Sequence, residues 1–343
     1  MSEVYVTPEE GTTAPAQGEG HGESKGAVIA AIASNLAVGI VKFIAAALTG
    51  SSAMFSEGIH SIVDSGNGAL VLLGMHQAKK PADITHPFGY GRELYFWILV
   101  VAVSIFAIGG GVSVYEGIHN MMAPEPMGDP TAAYIVLAIA IVLEGFSFFT
   151  ALKHFRVAKG KMGAIAFMKR SKDPSLYTIV LEDSAAMLGL LIALAGVFFG
   201  HHFNLPWLDG FASVLIGLLL MSVAFFLLRE TKALLIGEGL EKDELLRMRE
   251  LIASYPNVEA VGVLRSQYFG PFDMLVNVDV QFQEGMHASE IDEAITQIED
   301  DLKANFPEIS NVFIETASKH DVARYREQSA FQQEEAANGH VIA

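Results

Sequence analysis

"MFSEGIHSIVDSGNGALVLLGM", residues 54–75, is the stretch that decides the architecture. Its length and apolar content match a helix that crosses a bilayer, which takes about 20 residues. The stretch nevertheless carries Glu57, His60 and Asp64. Ionisable groups within a membrane span are costly and usually serve a function. The stretch therefore predicts a membrane protein with a polar site inside its helices.

The composition of the whole chain indicates an integral membrane protein. Of its 343 residues, 51% are hydrophobic, and the mean hydropathy is +0.37, which favours a chain that lies largely in lipid. The chain contains no cysteine, which excludes disulfides and thiolate metal sites. The net charge of -17 argues against a nucleic-acid partner, because phosphates require a basic surface.

Six segments are apolar over about 20 residues and are predicted to be transmembrane helices. Lys and Arg concentrate in the links after the second and fourth segments, and the links after the first, third and fifth contain none. Because basic loops stay on the cytoplasmic side, we expect both termini in the cytoplasm and place the protein in the bacterial inner membrane. The segments cover approximately residues 26–48, 52–75, 93–119, 131–152, 175–200 and 207–228.

The chain divides into four predicted regions. Residues 1–24 are polar and rich in Gly and Pro, which is typical of a disordered tail. Residues 25–229 form the six-helix transmembrane domain, residues 230–320 form a soluble domain, and residues 321–343 form a flexible tail. From residue 230 to the end, 22 acidic residues stand against 9 basic ones, so this part holds most of the negative charge.

The soluble region alternates helix and strand patterns in the order α-β-β-α-β. "EKDELLRMRELIASYP" and "HASEIDEAITQIEDDLKANFP" place apolar residues at helical spacing, and "EAVGVLRSQYF", "DMLVNVDVQFQ" and "NVFIETA" are typical of strands. This order predicts a ferredoxin-like domain with two helices on one face of a small sheet. The predicted fold class is therefore an α-helical membrane protein with six transmembrane helices and a C-terminal cytoplasmic α+β ferredoxin-like domain.

His60 and Asp64 form the first candidate metal pair. Residues four apart lie side by side on a helix, so the imidazole and the carboxylate share one face. Glu57 continues the same stripe one turn earlier. A neighbouring imidazole and carboxylate supply half of a tetrahedral zinc-type site. The other half is expected from another helix.

The remaining spans offer four further polar candidates. Glu182 and Asp183 are adjacent and point about 100° apart on a helix, so we expect Asp183 to bind the ion and Glu182 to support it or face another helix. Glu144 in "AIVLEGFSF" is a third acidic candidate. Asn35 either lines the site or hydrogen-bonds between helices, and we favour the second role.

Two motifs in combination resemble one known family. "SSAMFSEGIHSIVDSGNGALVLLG", residues 51–74, is followed by "KKPADITHPFGYGRELYFW", residues 79–97. This pairing resembles the cation diffusion facilitator family, whose second helix carries a His/Asp-x-x-x-Asp pair and whose next loop has a P-x-D-x-x-H-P-F-G run. The resemblance extends from about residue 25 to residue 318. "LEDSAAMLGLLIALAG", residues 181–196, is similar to the branch that includes an animal mitochondrial zinc transporter.

The resemblance implies a transporter that is not an enzyme and that has no prosthetic group. Members of the family export divalent metals from the cytoplasm in exchange for protons, as homodimers that contact through the tail domain. By this resemblance His60 and Asp64 form the second-helix half of the transport site, and Asp183 matches the last ligand of the fifth helix. Ile179 stands where the family has another fifth-helix ligand, which leaves Glu182, Glu144 or water for the fourth position.

Two accessory metal sites also follow from the resemblance. In the loop after the second helix, Asp83 and His86 match a family metal site, although Tyr90 replaces a second histidine. In the tail domain, His287 and His320 match a regulatory site. A solvated surface role is the simpler interpretation of these two histidines.

The predicted mechanism rests on competition between metal and protons. Imidazole and carboxylate must lose their protons to bind a cation, so one site serves both in alternation. Zn²⁺ is the expected cargo, with Fe²⁺, Mn²⁺ or Co²⁺/Ni²⁺ as alternatives, and membrane lipid surrounds the domain. A non-transporting metal-sensing scaffold and a carrier of organic solutes are rival hypotheses. An intramembrane metalloenzyme would require a motif such as H-E-x-x-H, which the sequence does not contain.

Overall fold

The computed structural model describes residues 21–124 and 130–320. The predicted tail at residues 321–343 lies outside these ranges, as does most of the predicted tail at residues 1–24. The first helix begins at His21, a few residues before the expected end of that tail.

The N-terminal part, up to residue 236, consists of helices and the loops that join them in the described ranges. Each of the six predicted apolar segments lies in a helix. The third segment is continuous but changes to a π-helix at Ile105–Val112, which the apolar pattern did not predict. A short helix precedes the fifth segment. The bounds are α1 His21–Thr49, α2 Ser52–Gln77, α3 Glu93–Ser104, α4 Ser113–Met122, α5 Thr131–Lys159, α6 Ala164–Arg170, α7 Pro174–Phe203 and α8 Trp207–Ile236.

Four helical segments of the described residues are long and apolar enough to cross a bilayer. They are Glu93–Met122, Ala133–Lys159, Pro174–Phe203 and Trp207–Ile236. The first helix contributes a shorter apolar stretch, Asn35–Thr49. The second helix is not apolar enough to be counted as a span, because polar residues occupy its middle. A helical membrane domain is therefore established, and the count of six spans stays a prediction.

The helix α2 lies at the centre of this domain. It packs against α1, α3, α4, α7 and α8, and it buries a row of small and polar side chains along most of its length. A helix surrounded by apolar neighbours has to pair its polar groups with groups from those neighbours. The position of α2 therefore determines which residues of the other helices meet its ionisable side chains.

Close backbone contact joins the third and sixth helical segments. Gly110 and Gly117 face Gly217 and Gly210 across the contact of the π-helix and α4 with α8. A Cβ at position 117 would lie 2.6 Å from the carbonyl oxygen of Gly210 and 2.7 Å from the amide nitrogen of Val214. Small residues allow membrane helices to approach this closely. Glycine is required at these positions because the facing backbones leave no space for a Cβ atom.

The C-terminal part is a three-stranded sheet covered by two helices. The strand order is β1-β2-β3, with β1 and β2 antiparallel and β2 and β3 parallel. Helix α9 packs on β1, α10 packs on β3, and the two helices contact each other, so they share one face as predicted. The bounds are α9 Lys242–Ala253, β1 Val258–Gly270, β2 Asp273–Phe282, α10 Ala288–Asn305 and β3 Ile309–Thr316.

Ion pairs connect the two parts of the chain. Arg170, at the end of α6, donates to Asp243 at 2.7 Å, and Lys172 donates to Glu238 at 2.9 Å. The Arg170 hydrogen bond lowers the pKa of the Asp243 carboxyl from its usual value. Arg92 also lies over the ring of Phe269, 4.3 Å from its centre. The basic loops thus contact the acidic domain directly.

Replacing Gly117 by alanine is expected to destabilise the membrane domain. The added methyl group has no space between α4 and α8, and overpacking of this kind costs about 1–3 kcal/mol. The measurement is the thermal midpoint of the protein in detergent, followed by size-exclusion chromatography.

Gly66→Ala is the matched control for this prediction. Gly66 lies on α2, and a Cβ there meets nothing within 4 Å. Alanine is also the better helix former, so this variant is expected to match or exceed the wild-type midpoint. Equal midpoints for the two variants would contradict the close contact at Gly117.

Candidate metal site

His60 and Asp64 lie side by side on α2, as their spacing predicts. The Nε2 atom of His60 is 3.4 Å from Oδ2 of Asp64, and the two side chains are only 2% and 10% exposed. Among the described residues, neither ring nitrogen of His60 has a hydrogen-bond partner, and neither has Oδ1 of Asp64. An unsatisfied buried polar atom costs about 1–3 kcal/mol. These atoms are therefore candidates for binding a cation.

Glu182 and Asp183 diverge from α7 toward different helices. Asn67 of α2 donates to Oε1 of Glu182 at 2.9 Å, and Ser147 of α5 donates to Oδ2 of Asp183 at 3.0 Å. The divergence agrees with the expected 100° between neighbours on a helix. Glu182 is thus hydrogen-bonded to the helix of His60 and Asp183 to α5, and the preference for Asp183 as the ion ligand stays a prediction.

The α2 and α7 candidates are close but do not form a closed cage. Glu182, Glu144 and Asp183 all interact electrostatically with Asp64. Within residues 21–124 and 130–320, no group of three or more His, Asp or Glu side chains is close enough to hold a metal ion. The Ile179 side chain is 45% exposed, so it is not buried between the candidate ligands. The candidate ligands therefore lie on two helices that pack together.

Lys42 of α1 is a functional candidate that sequence analysis missed. It is completely buried, and its Nζ atom donates to Oε2 of Glu57 at 3.1 Å and to Oγ of Ser61 at 2.9 Å. Oε1 of Glu144 lies 3.7 Å from the same nitrogen. Glu57 and Glu144 thus have an internal cation as partner. The sequence feature that could have identified Lys42 is its position as a single lysine inside an apolar span. A buried lysine in a membrane span is costly unless it is paired.

Asp209 of α8 is a second residue that sequence analysis missed. Its Oδ2 atom accepts from the backbone N–H groups of Ser52 at 2.5 Å and Ala53 at 3.2 Å, and its Oδ1 atom accepts from Oγ of Ser51 at 2.7 Å. Unpaired N–H groups and the helix dipole favour an acid at this end of a helix. Asp209 therefore fixes the start of α2 against α8.

Asn35 is the remaining candidate and lies on α1. Asn35 is half-buried. Among the described hydrogen bonds, none joins Asn35 to His60, Asp64 or the acids of α7.

Asp83 and His86 lie in an exposed turn between α2 and α3. Oδ1 of Asp83 accepts from the backbone N–H groups of Thr85 at 2.8 Å and His86 at 2.7 Å, and the Tyr90 hydroxyl donates to Oδ2 at 2.6 Å. These hydrogen bonds, that of Tyr90 first, hold the pKa of Asp83 well below its usual range. Both carboxylate oxygens therefore already stabilise the turn.

His287 and His320, the candidates for a regulatory site, are both exposed. The backbone N–H of His287 donates to the Glu290 carboxylate at 2.7 Å, which caps the start of α10. Among the described residues, neither histidine belongs to a metal-binding cluster.

Both parts of the chain match known protein-family models. Residues 28–236 match the family model described as the cation efflux transmembrane domain, and residues 240–317 match that of the cation efflux protein cytoplasmic domain. The chain belongs to the cation diffusion facilitator family. This membership confirms the predicted resemblance. It also confirms that the chain is of a transporter family and not an enzyme.

Individual relatives agree with this cation efflux assignment. The mitochondrial proton-coupled zinc antiporter SLC30A9 of Xenopus laevis is 33% identical over 257 residues, 74% of this chain and 46% of the relative. Metal tolerance protein C4 of Arabidopsis thaliana is 27% identical over 77% of this chain and 58% of its own. The cation-efflux pump FieF of Escherichia fergusonii is 24% identical over 82% of this chain and 88% of its own. The match thus spans less than half of the zinc antiporter.

Replacing Asp209 by alanine is expected to destabilise the contact between α2 and α8. The substitution leaves the N–H groups of Ser52 and Ala53 without their acceptor, and each unsatisfied buried donor costs about 1–3 kcal/mol. The measurement is the thermal midpoint in detergent. Asp209→Asn keeps one acceptor oxygen, so its thermal midpoint should decrease less than that of Asp209→Ala. No decrease in either variant would refute the role of this contact.

Proposed function

We propose that this protein exports divalent metal cations, with Zn²⁺ as the main cargo, from the cytoplasm in exchange for protons. The observation that carries the proposal is the buried pair of His60 and Asp64. Neither ring nitrogen of His60 has a hydrogen-bond partner among the described residues. A nitrogen ligand beside carboxylates suits Zn²⁺ and similar transition metals better than Mg²⁺ or Ca²⁺. The relatives with zinc in their names support the same cargo.

Glu182 and Asp183 complete the proposed site from α7. Both are near enough to Asp64 to interact with it electrostatically. A small approach of α7 to α2 would bring the two halves around one ion. Metal binding would then draw the helices together, and its release would let them separate, as expected for alternating access.

Proton exchange follows from the chemistry of the same ligands. Histidine and carboxylate bind a metal only after losing their protons, so each metal that enters displaces protons. Protons that enter from the opposite side displace the metal in turn. The site thus couples the two flows without a second ion-binding centre.

The proposed arrangement in the membrane has six spans with both termini in the cytoplasm. The basic residues of the loops support this orientation, and the inner membrane of a bacterium is the proposed location. The match to a cation efflux cytoplasmic domain supports a homodimer formed through residues 240–317.

Metal transport by the purified protein in liposomes under a pH gradient tests the proposal. We expect uptake of Zn²⁺ to exceed that of Fe²⁺, Mn²⁺ and Co²⁺. His60→Ala and Asp64→Ala should each reduce Zn²⁺ uptake by at least about tenfold, the low end of the effect of altered metal surroundings. Preference for another metal would reassign the cargo, and uptake of none would favour the non-transporting scaffold.

His76→Ala is the matched control for the transport assay. His76 lies on the same helix but is exposed near its end. This variant should transport Zn²⁺ at the wild-type rate. An equal loss in His76→Ala and His60→Ala would show that the assay reports general damage to α2.

Zinc binding in detergent is expected to weaken as the pH falls. Protons compete with the metal for His60 and the carboxylates, because each of these groups binds a cation only after it has lost its proton. Calorimetry between about pH 8 and pH 6 should therefore give a lower affinity at the acid end and proton release on binding. A pH-independent affinity would contradict exchange at this site.

A further inference from the structure

The buried Lys42 divides the five acidic candidates of α2, α5 and α7 into two groups. Glu57 and Glu144 surround its ammonium group, at 3.1 and 3.7 Å. The second group, on the side of His60, consists of Asp64, Glu182 and Asp183, and none of its members makes a described ion pair with Lys42. Lys42 therefore pairs directly with two of the five carboxylates, and it acts on Asp64 electrostatically without an ion pair.

The two carboxylates around Lys42 are otherwise suited to bind a metal. Glu57 lies one helical turn before His60 and is fully buried. Its Oε1 atom lies against the backbone of Gly189 on α7 and has no hydrogen-bond partner among the described residues. Glu144 is also buried and interacts electrostatically with Asp64. Both carboxylates therefore offer oxygen atoms whose cationic partner in the structure is Lys42.

We propose that Lys42 determines which metals this transporter accepts, because its ammonium group occupies Glu57 and Glu144. The inference rests on the proposed metal transport. With the lysine present, the cargo has to bind on the His60 side, where a nitrogen ligand is part of the donor set. A donor set that includes imidazole favours Zn²⁺, whereas a set made of carboxylates favours harder cations such as Mn²⁺.

The ammonium group acts in two physical ways. It satisfies Glu57 Oε2 and Ser61 Oγ directly by hydrogen bonds. It also places a positive charge inside a region of low dielectric constant, where repulsion of a second cation is strong. Removing the charge would release two carboxylates next to the His60–Asp64 pair and add oxygen ligands. Selectivity would then change even though His60 and Asp64 stay in place.

The test measures Mn²⁺ and Zn²⁺ uptake in liposomes for the wild type and three variants. Lys42→Met removes the charge while keeping a long apolar side chain, and it is expected to raise the ratio of Mn²⁺ to Zn²⁺ uptake by about tenfold. Lys42→Met/Glu57→Gln also removes one of the two released carboxylates and should return the ratio toward the wild-type value. Lys42→Arg retains the charge and should also keep the wild-type ratio.

The uptake ratio separates a role in selectivity from a purely structural role. Loss of a structural contact would reduce both fluxes together and leave the ratio unchanged, and this outcome would overturn the inference. If Lys42→Met does not give folded protein by size-exclusion chromatography, Lys42→Gln replaces it, since the amide can still donate to Glu57 and Ser61. The same tenfold change in ratio is expected, and an unchanged ratio again overturns the inference.

The wild-type flux distinguishes this inference from the proposed function. Wild-type protein that transports Zn²⁺, together with an unchanged ratio in the charge-removing variant, contradicts only the role of Lys42. Wild-type protein that transports neither metal contradicts the proposed function, and the inference fails with it.

Discussion

An ionisable side chain surrounded by apolar helices needs a partner, because an unpaired buried charge costs more free energy than the packing of a side chain supplies. The neighbours of α2 meet this requirement in turn. Lys42 of α1 pairs with Glu57, and Asp209 of α8 binds the first turn. Asn67, on α2 itself, holds Glu182 of α7. Each of these contacts fixes one neighbouring helix against the central one.

His60 and Asp64 depart from this pattern. Their polar atoms face one another at 3.4 Å, but the ring nitrogens and one carboxylate oxygen have no hydrogen-bond donor or acceptor among the described residues. Unsatisfied polar atoms are uncommon in folded proteins and concentrate where a ligand binds. The same domain therefore contains polar contacts that join its helices and a buried pair whose polar atoms lack hydrogen-bond partners among the described residues. Oε1 of Glu57 also lacks such a partner, although the other oxygen of this carboxylate accepts from Lys42.

The acidic C-terminal domain is joined to the helices at the start of α7. Lys172, which contacts Glu238, directly precedes the N-cap residue of α7, Asp173. The same helix carries Glu182 toward α2. Arg170 and Arg92 make further contacts with the domain from the end of α6 and the start of α3.

The sequence by itself determined the helical segments, the α-β-β-α-β order and the His60–Asp64 pair, because helical and strand periods act between residues close in the chain. The tertiary structure alone decided the partners of Glu57 and Glu144. Lys42 meets them across separations of 15 and 102 residues, and such meetings depend on how each helix is rotated and shifted against its neighbours. Packing of side chains between helices sets that rotation, and no local period of the sequence records it.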